Sequence, residues 1–194
     1  MTTFRTAVAL AAAIAAFSTL AACTSPTGLI DAATMPAEDR SFADSTVDAE
    51  TKLAINRKML ETEGRLFVDV NTVVYEGRVL LTGKVESQEA HDTAERLAYQ
   101  VPNVKEVINE LVVTTDRSFA SGVNDVANEV KIKAQLVATK GVRSINYRWR
   151  SLAGTVYLIG TAQSADELNT VIEVIRRIDG VRRVVNYARV RGAA

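Results

Sequence analysis

Few side chains in this sequence have the reactivity that covalent or acid–base chemistry needs. There is one cysteine, Cys23, and one histidine, His91. A lone cysteine leaves no internal disulfide, and a single distant histidine leaves no paired Cys/His set for a metal ion. His91 lies among Glu89, Asp92 and Glu95 in a helical stretch and reads as a solvated surface residue. No Ser-His-Asp, HExxH, Walker or dinucleotide pattern occurs, and the carboxylates are scattered without forced pairs. Gly77-Arg78-Val79-Leu80-Leu81-Thr82-Gly83 is no phosphate loop, because a strand fills the space between its glycines. No catalytic residue, metal or cofactor is expected. What remains is recognition by charge and apolar surface.

The distribution of charge carries that reading. The 194-residue chain has 23 basic and 23 acidic residues. Residues 46–114 hold twelve acidic and eight basic side chains, a net of −4, whereas 123–194 hold six acidic and twelve basic, a net of +6. The basic residues gather at Lys131 and Lys133, at Arg143, Arg148 and Arg150, and at Arg176, Arg177, Arg182 and Arg183. Some of the last group also suit the negative end of a helix dipole. Val126 and Val130 lie at one edge of the wide apolar arc formed with Ile132, Leu136 and Val137, close to Lys131. Trp149 stands between two arginines. Strand parity puts it with Ile145 and Tyr147, either in the core or at a rim where an indole suits a headgroup layer. The candidate lipid-contact residues are therefore Val126, Val130, Lys131, Lys133, Arg148, Trp149 and Arg150. Docking of the basic half on the acidic half is the competing use of the same charges.

The elements that must position these residues are written twice. Gly77 to Gly83 matches Gly154-Thr155-Val156-Tyr157-Leu158-Ile159-Gly160 at an offset of 77. The same offset pairs Asp48 with Asp125, Ile55 with Ile132, Ser87 with Ser164, Val104 with Val181 and Asn109 with Asn186, with no gap from Asp48 to Val113. Each copy reads as a helix (47–62 in the first), a strand over 66–74 with Val68 and Val70 on one face, and a Gly77 turn. A second strand ended by Gly83, a Ser87-capped helix and a third strand follow. Leu53, Ile55, Met59 and Leu60 are the apolar positions of the first helix, with Gly64 as its stop. In the second copy Ser164 and Glu167 have capping-box spacing. The expected fold is α+β: two tandem αββαβ domains at 46–114 and 123–191, joined by a linker at 115–122, each a small three-stranded sheet with two helices on one face. Domains of this size are near the lower limit for independent folding, so the copies are expected to pack together.

Ahead of the repeat, Arg5 precedes an apolar run from Ala7 to Phe17 that is shorter than the about 20 residues a spanning helix needs. Residues 1–22 read as a signal peptide and 23–45, with Pro26, Gly28 and Pro36, as a flexible tether. Leu20-Ala21-Ala22-Cys23 resembles the bacterial lipobox, which implies acylation of Cys23 and an N-terminal lipid anchor. Thr24 after the cysteine, in place of an aspartate, resembles an outer-membrane address.

Gly-x-Val-x-Leu-x-Gly followed by a helix and Val-x-x-Val-x-Asn resembles the BON domain. The residues are Gly77 to Gly83 with Val104-Lys105-Glu106-Val107-Ile108-Asn109, and Gly154 to Gly160 with Val181-Arg182-Arg183-Val184-Val185-Asn186. The resemblance covers nearly all of 46–191 and, with the lipobox, is to the dual-BON outer-membrane lipoproteins of Gram-negative bacteria. It implies a lipid-anchored protein at the periplasmic face of the outer membrane that binds phospholipid and supports envelope integrity; the +6 charge of the second half directs that expectation to anionic phospholipid, and the missing catalytic motifs to a protein that is not an enzyme. Related chains carry an aromatic residue near position 127, where this one has Ala127. The alternative is a structural envelope protein that docks on a protein partner without binding lipid itself. Export argues against nucleic acid as the partner of the basic half.

Overall fold

The computed structural model describes residues 42–115 and 120–192. Cys23, the signal peptide and most of the tether lie outside the described residues. The first copy runs α1 (Phe42–Thr62), α2 (Gly64–Asp69), β1 (Val70–Tyr75), β2 (Arg78–Val85), α3 (Gln88–Tyr99) and β3 (Glu106–Val113). The second runs α4 (Ala120–Ala138), a 3-10 turn (Ser144–Asn146), β4 (Tyr147–Leu152), β5 (Thr155–Ala162), α5 (Ala165–Arg176), β6 (Arg183–Asn186) and β7 (Arg189–Val190). β1 and β2 form an antiparallel hairpin, and β3 returns parallel to β2 after the α3 crossover; β4, β5 and β6 repeat this arrangement. The short β7 continues the β6 register alongside β5.

Local chemistry explains the hairpins. Glu76 and Gly77 have φ of 54° and 77°, and Ala153 and Gly154 have φ of 49° and 77°. Two successive positive φ values make the tight turn whose twist matches a hairpin. The Asp48 carboxylate of α1 accepts from the N–H groups of Glu76 (2.7 Å) and Gly77 (3.0 Å). Asp125 of α4 does the same for Ala153 (2.7 Å) and Gly154 (3.0 Å). The Asp48/Asp125 pair of the repeat is thus a clamp between the first helix and the hairpin turn of each copy.

Several elements differ from the sequence expectation. The motif glycines Gly83 and Gly160 sit inside β2 and β5, which continue to Val85 and Ala162. A Cβ at Gly83 would come within 2.0 Å of the Asp69 carbonyl oxygen, and one at Gly160 within 2.3 Å of that of Asn146. These glycines let the start of the partner strand cross close by. The chain before β1 is helical, so Val68 is exposed and does not share the core face of Val70. α1 begins at Phe42, inside the stretch read as tether, with Asp44 in its first turn where a carboxylate favours the helix. Of its apolar positions, Ile55 and Met59 are fully buried, while Leu53 and Leu60 face solvent. The capping box forms only in part: Ser164 Oγ accepts from Glu167 N, but the Glu167 carboxylate accepts from Gln163 N (2.7 Å) and Arg143 N (2.8 Å) instead of closing on Ser164.

The strands are buried on both faces. In β2, Val79 and Leu81 join α1 and α3 in the first core; in β5, Val156 and Leu158 join α4 and α5 in the second. The alternate residues point the other way. Val73, Tyr75, Leu80 and Ile108 of the first copy meet Tyr157 and Ile159 of the second in a third core between the two sheets. At its border Arg78 donates to Glu106 and to the Tyr187 carbonyl, Arg189 pairs with Glu106 (2.8 Å), and the Tyr187 hydroxyl donates to Glu110. Burial, with help from Glu110, pushes the Tyr187 phenol up to about 12.

Candidate functional site

α4 is held along one side and open along the other. Ile132 and Leu136 are fully buried in the second core. Asp125 clamps the hairpin turn, Asn128 donates to the Gly180 carbonyl (3.2 Å), and the Glu129 carbonyl accepts from Trp149 Nε1 (3.2 Å). The opposite side carries Val126, Val130 and Val137, which are 62%, 64% and 66% exposed. At 100° per residue these three fall within about 40° of one another, so they form a line along the helix. Ala127 and Ala134 widen the line, and Lys133 and Lys131 flank it, both exposed. Lys131 reaches the Asp179 carbonyl (3.4 Å), which ties this edge of α4 to the loop after α5. The result is an apolar stripe bordered by ammonium groups on a domain of net charge +6.

Four candidate residues thus come together: Val126, Val130, Lys131 and Lys133. Val137, which its spacing places on the core arc, belongs with them because, among the described side chains of α4, the core is reached by Ile132 and Leu136. The other three candidates lie on β4. Trp149 is half-buried and packs against the second core. Arg148 donates to the carbonyls of Ile145 (2.7 Å) and Tyr147 (3.0 Å). Arg150 pairs with Glu129 (3.1 Å). It also lies near Lys52 of α1, whose pKa is lowered by burial and by that guanidinium. These guanidinium groups are already engaged within the molecule. Docking of the two halves does occur, but through the apolar sheet faces with a polar border, and not through the basic clusters as a whole.

His91 is half-buried beside Gln88, Asp92 (2.9 Å) and Asn109, and its hydrogen bond with that of Gln88 lowers the Asp92 pKa. Among the described residues no group of three or more His, Cys, Asp and Glu side chains is placed to hold a metal ion. A cleft of about 500 Å3 lies in the first domain and mixes Arg65 and Arg96 with Glu63, Asp69, Glu86 and Glu89. A second of about 340 Å3 is lined by Arg176, Val181, Arg182, Arg183 and Val184.

The BON domain family model matches residues 47–115 and 121–192. A protein of Anaplasma centrale named "Uncharacterized protein in gshII 5'region" is 41% identical over 74% of this chain and 95% of its own length. Outer membrane lipoprotein DolP of Haemophilus influenzae is 32% identical over 73% of this chain and 72% of its own. A 21 kDa hemolysin of Actinobacillus pleuropneumoniae is 30% identical over 78% of each chain. With two matched domains, each a small sheet with its helices, the chain belongs to the BON domain family.

Proposed function

We propose that the protein is a non-enzymatic module of the bacterial envelope that docks on anionic phospholipid through α4. In this reading Cys23 carries an acyl anchor, and the protein sits at the periplasmic face of the outer membrane and supports its integrity. The observation that carries the docking surface is the exposed line Val126–Val130–Val137 flanked by Lys131 and Lys133. A surface of this kind inserts apolar side chains at the headgroup boundary, while each nearby cation contributes about 1 kcal/mol against an anionic leaflet. The family membership and the outer membrane lipoprotein among the relatives support an envelope setting. The compact unit Ala37–Ala194 contains all three cores and is the material for the test. It is expected to float with phosphatidylglycerol or cardiolipin vesicles and to stay behind with phosphatidylcholine alone. Failure to bind the anionic vesicles at low salt would sink the lipid reading. For the anchor, Cys23→Ser in cells is expected to abolish acyl labelling and membrane retention; unchanged retention would count against it.

One observation favours a second reading, a module that docks on an envelope protein. Leu53, Leu60, Phe67 and Val68 are 45–76% exposed in the acidic first domain, where an anionic lipid surface is an unsuitable partner. Crosslinking in cells from positions around Leu53 would capture a protein under that reading and none under the first.

A further inference from the structure

The second cleft differs between the copies in one chemical detail. In the first copy the Tyr99 hydroxyl accepts from the Val107 N–H (3.3 Å) on the edge strand β3. Position 99 corresponds to Arg176 and position 107 to Val184. A guanidinium has no acceptor, so Arg176 cannot serve the Val184 N–H as Tyr99 serves Val107. β6 is likewise at the edge of its sheet. The N–H groups of Arg183 and Tyr187 turn inward to Gly154 O and Leu158 O, which by strand alternation turns that of Val184 outward. The cleft it lines is walled by Arg176, Arg182 and Arg183, and no carboxylate lines it. Arg182 already donates to the Ala153 carbonyl, while Arg176 and Arg183 are exposed and make no salt bridge among the described residues. The nearby Glu173 is paired with Arg177 (3.2 Å).

We infer that this cleft is a phosphate-binding site, built from the Arg176 guanidinium and the Val184 backbone N–H, with Arg182 and Arg183 as walls. The guanidinium groups and the outward Val184 N–H are donors, no carboxylate lines the cleft, and a guanidinium fork matches the paired oxygens of a phosphate. The site lies beyond the α5–β6 loop that Lys131 and Asn128 of α4 hold. The phosphate therefore comes either from a lipid headgroup, at a membrane already contacted by α4, or from a free phosphate group. Only the first source rests on the lipid reading given above.

The test uses the unit Ala37–Ala194. Inorganic phosphate is titrated at constant ionic strength while the Val184 amide and the arginine Nε–H resonances are followed by NMR. Saturable shifts at Val184 and Arg176 are expected. They should vanish in Arg176→Tyr, which restores the first copy's acceptor, and persist in Lys140→Gln, which removes the same charge elsewhere. Arg176→Gln serves should the tyrosine disturb the fold, with thermal unfolding as the control. Absence of a saturable shift at Val184 overturns the proposal, as does an equal response in Lys140→Gln. Flotation with phosphatidylglycerol vesicles identifies the source. A fall of roughly five- to tenfold in Arg176→Tyr, beyond that in Lys140→Gln, marks a lipid headgroup. Unchanged vesicle binding with intact phosphate shifts marks a free phosphate and still supports the site. Phosphate shifts in a protein that binds no vesicles would discard the lipid reading alone.

Discussion

The two copies agree inside and disagree outside. Both use an aspartate on the first helix to clamp a positive-φ hairpin turn, and both seat a glycine where the neighbouring strand crosses. Their first helices differ at the surface. Leu53 and Leu60 of α1 correspond to Val130 and Val137 of α4, so both copies show apolar side chains to solvent at the same two places. Around them, however, Ala49, Glu50 and Arg57 of α1 become Val126, Ala127 and Ala134, while Ala54 and Asn56 become Lys131 and Lys133. Exchanging two charged residues for alanines, and an alanine for the larger valine, joins two isolated apolar positions into a stripe. The two new lysines give that stripe a sign. Packing holds the interior to one solution, whereas the solvent face is free to specialise.

The comparison breaks first at the crossing glycines. Gly83→Ala and Gly160→Ala each drive a Cβ into a backbone carbonyl that cannot move without its strand, so each is expected to cost about 4 kcal/mol or more. Thermal unfolding should show the two losses to be alike; a tolerated substitution in one copy would mean that its crossing is looser than described. Next, Leu80→Ala empties part of the core between the sheets and should cost about 3 kcal/mol. Because that core belongs to both copies, calorimetry should show a single transition moved down; two separated transitions would mean that the sheets fold independently.

The surface difference predicts a smaller, asymmetric effect. Val130→Glu should lower binding to phosphatidylglycerol vesicles at least tenfold, through lost apolar contact and a misplaced charge. The matching Leu53→Glu should leave it nearly unchanged. Equal losses from both would remove the assignment of function to the second copy. The smallest effect is on pH dependence. Arg78, by hydrogen bond first, holds the Glu106 pKa below its usual value, with Arg189 adding to it. A depressed carboxylate contributes stability that is present above the ordinary Glu range and is lost as pH falls through it toward the lowered pKa. Acid titration of Glu106→Gln, compared with the parent, should show a shallower stability loss below about pH 4.5.

Much of the fold was legible in residue spacing, and the reasons for the gaps are specific. The unbroken offset of 77 revealed the duplication, and it singled out Asp48 and Asp125 before their role was visible. Two-sided burial was also written there, in the continuous apolar runs Val79-Leu80-Leu81 and Val156-Tyr157-Leu158-Ile159, since a strand with one wet face alternates. Periodicity could not say which apolar helix positions face inward. α1 and α4 have apolar residues around more of the helix than one core can cover, and only the placement of the sheet chose Ile55, Met59, Ile132 and Leu136. Nor could it show that Arg150 is held by Glu129 or that Trp149 reaches the Glu129 carbonyl, because both contacts join residues about twenty positions apart.

The sequence by itself determined the repeat, the order of its main elements, the turn glycines and the opposite charge of its halves, because each depends on local backbone preference or on simple composition. Only the tertiary structure decided which side chains remain free to bind. The arginines of β4 are spent on neighbours and the valines of α4 are not, since exposure depends on what the rest of the chain leaves uncovered, and no local pattern records that.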